Sequence, residues 1–336
     1  MKNKIEIIAE IGVNHNGSIK NAKTLVNKAK EAGADYVKFQ YFKSKLLSTD
    51  YAKKAKYQYL QTKKKETQLE MLKKYELNIQ DLKKLKAHSS KKKIKFLVSA
   101  FDEETLLELN KLKLSVFKVP SGEITNIPYL KLLGSFKKKV ILSTGMSNFK
   151  EISKAVKTLL ESGLKRKNLC LLQCTSNYPT KISDANLSVI KKLKKKYKTK
   201  VGFSDHTTEL ETPLFAIFYG AEIIEKHITL NNKDKGPDHK ASLNVYDFAK
   251  MMKMIKNLDL SYGKSIKKAN IEEIKNSYVV RKSIVAKINI KKGEKFSFRN
   301  LTCKRPGNGL APDKLYSLIG KKSPKDFKIN KQINLK

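Results

Sequence analysis

KVGFSDHT (Lys200–Thr207) and AEIIEKHIT (Ala221–Thr229) are two apolar runs that each end on a histidine, His206 and His227. The histidines stand 21 positions apart (227 less 206), about one strand–helix–strand step of an α/β protein. If the runs are neighbouring parallel strands, both imidazoles emerge side by side at the C-terminal strand ends, where such folds carry out their chemistry. Two neutral imidazoles with carboxylates nearby suit a divalent ion that keeps open positions. Each histidine also follows an acidic residue, Asp205 or Glu225. A metal site is therefore expected rather than two buried structural histidines.

Working outward, the first 260 residues repeat one unit eight times. Its apolar runs are Ile5–Ile11, Asp35–Gln40, Ile94–Ala100, Val116–Ser121, Val140–Thr144, Leu169–Thr175, Val201–Ser204 and Glu222–Ile228. Between them lie amphipathic stretches such as Ser18–Ala32, Glu103–Leu112, Asn148–Ser162, Ala185–Tyr197 and Val245–Leu258. Near-continuous apolar strands alternating with helices mean a parallel sheet covered on both faces. Eight units over this length predict a (β/α)8 TIM barrel, with an open doubly wound sheet as the alternative. Polar residues close almost every strand, which marks one rim as the ligand-binding mouth. Strand eight pairs with strand one in a closed barrel, so Glu10 is expected beside His227. Lys38 and Lys118, set inside apolar strands, are expected to face an anion. Ser121, Ser143 and Ser204 are placed to donate to its oxygens.

Residues 261–278 read as a polar, lysine-rich linker, and 279–336 as a small β-rich domain of short runs and turns. Arg305 precedes Pro-Gly-Asn-Gly, on what reads as a rigid loop. The formal net charge of +41 arises from lysines scattered in short clusters, without a basic tail or interleaved aromatics. That pattern is solvated surface, and neither nucleic acid nor membrane is expected as a partner. Three cysteines lack zinc-type spacing, and no run is long enough to span a bilayer. The start of the chain carries no secretory pattern, so a cytoplasmic location is expected.

The sequence resembles the bacterial sialic acid synthases, which include the N-acetylneuraminate and N,N′-diacetyllegionaminate synthases. The resemblance rests on EIGVNHNGS (Glu10–Ser18), VKFQ (Val37–Gln40), PSGEITN (Pro120–Asn126) and ILSTGM (Ile141–Met146). It continues through NYPT (Asn177–Thr180), GFSDHT (Gly202–Thr207), IEKHIT (Ile224–Thr229), GPDHKASL (Gly236–Leu243) and KRPGNG (Lys304–Gly309). It implies a barrel followed by an antifreeze-like (SAF, β-clip) domain in a domain-swapped homodimer. It implies condensation of phosphoenolpyruvate with an N-acetylhexosamine aldehyde to a nine-carbon 2-keto acid and phosphate. N-acetylmannosamine is the expected acceptor, with 2,4-diacetamido-2,4,6-trideoxymannose as the alternative.

By the same resemblance, His206 and His227 would ligate Mn²⁺ or Mg²⁺, and Glu10 or Glu123 would orient the attacking water. Lys38, Lys118, Ser121, Ser143 and Ser204 would hold phosphoenolpyruvate. Gln40, Glu123, Tyr178 and Asp238 would hold the sugar, which Arg305 would reach from the partner subunit. Positions that depart from the family pattern are Ser99, Gln173, Lys226 and the loop Asn231–Lys235, the last two expected to alter sugar fit. A metal-dependent barrel aldolase, a nucleic-acid binder and an interaction-only C-terminal module are competing readings.

Overall fold

The computed structural model describes residues 4–62 and 65–335, which fall into two compact units, Met1–Gly263 and Lys264–Lys336. In the first unit eight strands pair in parallel and in sequence order. They are β1 (Glu6–Gly12), β2 (Tyr36–Tyr41), β3 (Lys95–Ala100), β4 (Val116–Val119), β5 (Lys139–Ser143), β6 (Leu169–Cys174), β7 (Lys200–Asp205) and β8 (Ile223–Thr229). β1 pairs with β8 from Glu6 opposite Ile223 to Glu10 opposite His227, which closes the barrel. A two-residue strand, β9 (Leu243–Asn244), extends from the end of β8.

Alternation along the strands sorts the side chains into two cores. Ile7, Ala9 and Ile11 turn outward and pack with helix residues such as Leu25, Val26 and Ala29. Ile8, Leu97, Ile141, Leu172 and Ile223 turn inward and form an apolar floor inside the barrel. Gly202 belongs to that crowded interior, where a Cβ would come within 2.4 Å of the Ile223 carbonyl oxygen. The helices carry the end signals their sequences announce. Ser18 caps Ile19–Ala32 by accepting from the Asn21 amide, and Gly33 ends that helix at φ 94°. Asn148 and Glu151 form a reciprocal cap on Phe149–Glu161.

The connection from β2 to β3 departs from the regular unit. The stretch 42–94 carries short helices at Ser44–Leu47, Lys56–Thr62 and Gln68–Lys73 before the regular helix Ile79–Lys91. Periodicity did not separate these pieces, because a helix of four to seven residues is too short to display a 3.6-residue repeat.

In the turn after β1, His15 is fully buried with the Gly17 amide donating to its Nδ1. Burial drives its pKa down to about 4. The unfolded chain therefore binds a proton near pH 6.5 that the folded chain refuses until about pH 4, so this group's stabilisation is full above pH 6.5 and fades as pH falls. Urea unfolding at pH 7 and pH 4.5 is expected to show His15→Asn losing roughly 2–3 kcal/mol less than the parent over that interval. Equal losses would contradict the assignment.

In the second unit β10 (Ser283–Ala286) and β11 (Leu301–Lys304) pair antiparallel, joined by isolated bridges at Val285–Gln332, Ile290–Phe327 and Lys295–Lys322. Ile284, Ile290, Phe296, Leu301, Leu318 and Phe327 form its small core. The stretch expected to be a featureless linker is largely helical. Helix Val245–Tyr262 runs into it, and Asn270 and Glu273 cap a second helix, Ile271–Val280. Its capping box was legible, but lysine-rich flanks masked the apolar residues behind it.

Candidate active site

Above the apolar floor each strand contributes one inward polar residue. Glu10 (β1), Lys38 (β2), Ser99 (β3) and Lys118 (β4) line half of the ring. Ser143 (β5), Cys174 (β6), Ser204 (β7) and Glu225 (β8) complete it. Two residues further along, Gln40, His206 and His227 rise toward the mouth. The cavity they line has a volume of about 460 Å³, in the range of small-molecule sites.

The ring is a buried ionic network. Lys38 Nζ lies 2.9 Å from Glu10 Oε2 and 3.8 Å from Glu225 Oε2, and Lys118 Nζ lies 3.4 Å from Glu225 Oε1. Ser204 donates to Glu225 Oε1 at 3.0 Å, and Lys38 reaches Ser99 Oγ at 3.4 Å. Burial opposes the charge on Glu225, but Lys118 and Lys38 outweigh it and hold the carboxyl below its usual range. Burial also opposes charge on Lys38, yet Glu10 and Glu225 keep its pKa raised. Lys118 has less compensation, and burial wins, lowering it. Glu10 is lifted to about 7 by burial, with Lys38 opposing. Ser143 Oγ is buried and has no hydrogen-bond partner among the described residues.

The two imidazole centroids are 5.4 Å apart. His206 Nδ1 is fixed by the Thr175 carbonyl at 2.7 Å, so the ring's other nitrogen is left for a ligand. Burial, then His206 and the neighbouring lysines, hold His227 neutral, far below its ordinary pKa. Its buried Nδ1 has no hydrogen bond, and Asp238 Oδ2 stands 3.9 Å away. Burial raises Asp238 to about 6. An unprotonated, unsatisfied imidazole nitrogen beside a second imidazole and a carboxylate fits a divalent cation. Among the described residues no three of His, Cys, Asp and Glu are placed together to hold a metal ion.

The turn geometry keeps these groups in place. Gly12 sits at a register irregularity of β1 with φ 53°, and a Cβ there would press on Glu10 Oε1, Gln40 Nε2 and His227 Cε1 at 3.1–3.5 Å. Gln40 donates to Glu10 Oε1 at 3.2 Å. The Tyr178 ring lies 4.0 Å from that of His206 between centroids, tilted by 36°, and meets His227 edge-on at 5.7 Å. Gly145 N donates to Ser121 Oγ, and Asn126 to Glu123 Oε2, whose pKa burial raises.

Twelve of the expected site residues line this one cavity: Glu10, Lys38, Gln40, Lys118, Ser121, Glu123, Ser143, Tyr178, Ser204, His206, His227 and Asp238. The thirteenth, Arg305, belongs to the second unit, where a cis peptide joins it to Pro306. Two expectations are corrected. Asp205 and Glu225 are not equivalent, because they precede their histidines by one and two residues and so face opposite ways. Asp205 turns out of the barrel and forms a fully buried pair with Lys226 at 2.5 Å. Lys226 is thus structural and does not touch the cavity, and Gln173 also points away, donating to the Ala185 carbonyl. Ser99 does face inward and touches Lys38.

Sequence reasoning named Glu225 only as an acidic neighbour of His227, and it missed Cys174 and the residues supplied by the β2–β3 connection, including Tyr57, Met71, Leu72 and Tyr75. Period-2 alternation back from His227 was the available signal for Glu225, whereas Cys174, on β6, is placed by its register with Ser204. The connection offered none.

A closed parallel barrel with buried lysines, carboxylates and imidazoles at its C-terminal rim defines an enzyme that handles a small anion. The NeuB family model matches residues 25–267 and the SAF domain model residues 281–334, and the chain belongs to the NeuB family. It is a phosphoenolpyruvate-dependent sugar-acid synthase. The N,N′-diacetyllegionaminic acid synthase of Campylobacter jejuni is 47% identical over 97% of both chains. That of Legionella pneumophila is 39% identical over 94% of this chain and 89% of its own. Among solved structures, the N-acetylneuraminic acid synthetase of Leptospira borgpetersenii, in complex with citrate, aligns at a TM-score of 0.70 and 31% identity. The alignment covers 82% of this chain and 90% of that one.

Proposed function

We propose that this enzyme condenses phosphoenolpyruvate with open-chain 2,4-diacetamido-2,4,6-trideoxymannose, giving a nine-carbon 2-keto acid and phosphate. The observation that carries the reaction is the ring of Lys38, Lys118 and unpartnered Ser143 Oγ directly beneath two imidazoles. The choice of sugar is supported by the 47% and 39% identical legionaminic acid synthases, against 31% for the N-acetylneuraminic acid synthetase. N-acetylmannosamine is the second reading, favoured by that solved structure and its TM-score of 0.70.

Lys38 and Lys118 attract the phosphate and carboxylate of phosphoenolpyruvate, and Ser121, Ser143 and Ser204 give them hydrogen bonds. Binding an anion here also relieves the deficit at Lys118. Carbon 3 of phosphoenolpyruvate attacks the sugar aldehyde, whose oxygen takes up a proton as the C–C bond forms. Water adds to the resulting cation at carbon 2, and the C–O bond to phosphate then breaks to leave the ketone. Glu10, with a pKa of about 7, is suited to take the proton from that water. Tyr178, Gln40, Glu123 and Asp238 orient the sugar's polar groups. His206 and His227 would hold Mn²⁺ or Mg²⁺, which when bound polarises the aldehyde.

Phosphate release from phosphoenolpyruvate is expected with the trideoxy sugar and is expected to stop on chelation and return with Mn²⁺. Release with neither sugar from folded protein would remove the reading, and consumption without phosphate would favour an aldolase.

We propose in addition that the chain works as a homodimer. The helix Ile271–Val280 buries no residue and leaves Ile271, Ile274, Tyr278 and Val279 exposed, an apolar face that a second copy would cover. Sedimentation that showed only monomer at micromolar concentration would contradict this.

A further inference from the structure

One side of the cavity differs from the rest. Over β1–β3 the wall carries an apolar strip beside polar side chains such as Gln58, Gln68 and Tyr75: Leu47, Leu72 and Phe101 are half-buried along it, backed by buried Val13, Phe42 and Met71. Its height follows from strand geometry. Val13, Phe42 and Phe101 come immediately after the last residues of β1, β2 and β3, whereas Lys38 lies four residues before Phe42. At ~3.3 Å per residue Phe42 and Phe101 stand about 13 Å along the strands beyond the level of Lys38, and Phe101 about 7 Å beyond that of Lys118. An anion held by the lysines occupies the deep end, and the larger neutral sugar must lie against the strip.

The strip is preformed. The helix Gln68–Lys73 that presents Met71 and Leu72 is closed by a reciprocal Thr67–Glu70 cap. Glu66 pairs with both Lys54 and Lys74, and the Glu76 carboxylate accepts from the Ser44 amide at the start of the short helix carrying Leu47. The β1 turn packs on the same segment so closely that a Cβ on Gly17 would lie 2.8 Å from the Lys74 carbonyl oxygen. A long insertion held this rigidly, offering carbon to a carbohydrate, has a selective use.

We propose that this strip is the acceptor-specificity subsite, with Leu47 and Leu72 contacting the C6 methyl and the methyl of the 4-acetamido group. The proposal rests on the trideoxy-sugar reading above. N-acetylmannosamine presents hydroxyls at both positions, and the Leu47 and Leu72 side chains offer them no partner, so against these two residues they lose water without compensation. A hydrophobic pocket discriminates a methyl group by about 10–200-fold in kcat/KM.

The test is kcat/KM for both sugars, at saturating phosphoenolpyruvate, in the parent enzyme, Leu72→Gln and Leu47→Gln, with Leu72→Met as the conservative control. The parent is expected to prefer the trideoxy sugar by more than about tenfold. Either glutamine variant is expected to cut that preference about tenfold or more, with KM for phosphoenolpyruvate unchanged, and Leu72→Met to keep it. The two glutamine substitutions sit on different helices, so misfolding of one leaves the other informative. A preference unmoved in a folded glutamine variant, or both sugars falling together as the phosphoenolpyruvate KM rises, would overturn the subsite. No turnover by the parent with either sugar would instead overturn the reading of the reaction itself.

Discussion

His227→Ala and His206→Ala should each reduce phosphoenolpyruvate-dependent phosphate release by about 10³-fold or more, while the far-UV spectrum and melting temperature stay near the parent's. The imidazoles stand at the mouth above the layer that holds the barrel together. His227 Nδ1 makes no hydrogen bond whose loss would weaken the fold. His206 gives up its bond to the Thr175 carbonyl and its ring contact with Tyr178, worth only about 1–2 kcal/mol together. A large catalytic loss with a small stability loss is the signature of a ligand-holding pair. Wild-type-like turnover in either variant would defeat the assignment.

Lys118→Met should be harmful in two separable ways. Lys118 faces Glu225 at 3.4 Å in a buried setting, and its removal leaves that carboxylate with Lys38 at 3.8 Å and the Ser204 hydroxyl. Because Lys38 and Ser204 still reach that carboxylate, the stability loss should fall below the about 3–5 kcal/mol of a buried charge left wholly unpaired. The same change removes a charge proposed to hold phosphoenolpyruvate, so KM for that substrate should rise about 10²-fold. The double variant Lys118→Met/Glu225→Gln separates the effects. Without a stranded carboxylate it should regain most of the stability, measured by urea unfolding, yet stay poor in phosphoenolpyruvate binding. Recovery of both properties would show that Lys118 serves the fold alone.

The ring of buried charges explains why the barrel keeps so expensive an interior. Glu10 and Glu225 hold Lys38 charged in a place that burial would otherwise make neutral, and Lys118 is left undercompensated. An arriving anion completes the pairing, and the field it meets is already oriented.

Several features were determined by the sequence alone. Eight apolar runs alternating with amphipathic stretches point to a barrel, because parallel strands buried on both faces read as near-continuous apolar segments. The ends of those runs located the mouth, since strand C-termini all open on one rim. Glu10 beside His227 followed from closure and is observed as a register pair. The side to which each strand residue turns was available in principle from period-2 alternation, and ignoring a one-residue offset misplaced Asp205.

Other features existed only once the chain was folded. Lys38 and Lys118 stood out as lysines inside apolar strands, but their meeting with two carboxylates from β1 and β8 across the barrel interior did not. The apolar strip over β1–β3 is assembled from Leu47, Leu72 and Phe101, which are distant in sequence and lie on helices too short to show a period or just beyond a strand. Periodicity records how one segment meets its core. Contacts among short segments are decided by the tertiary packing that brings them to one wall.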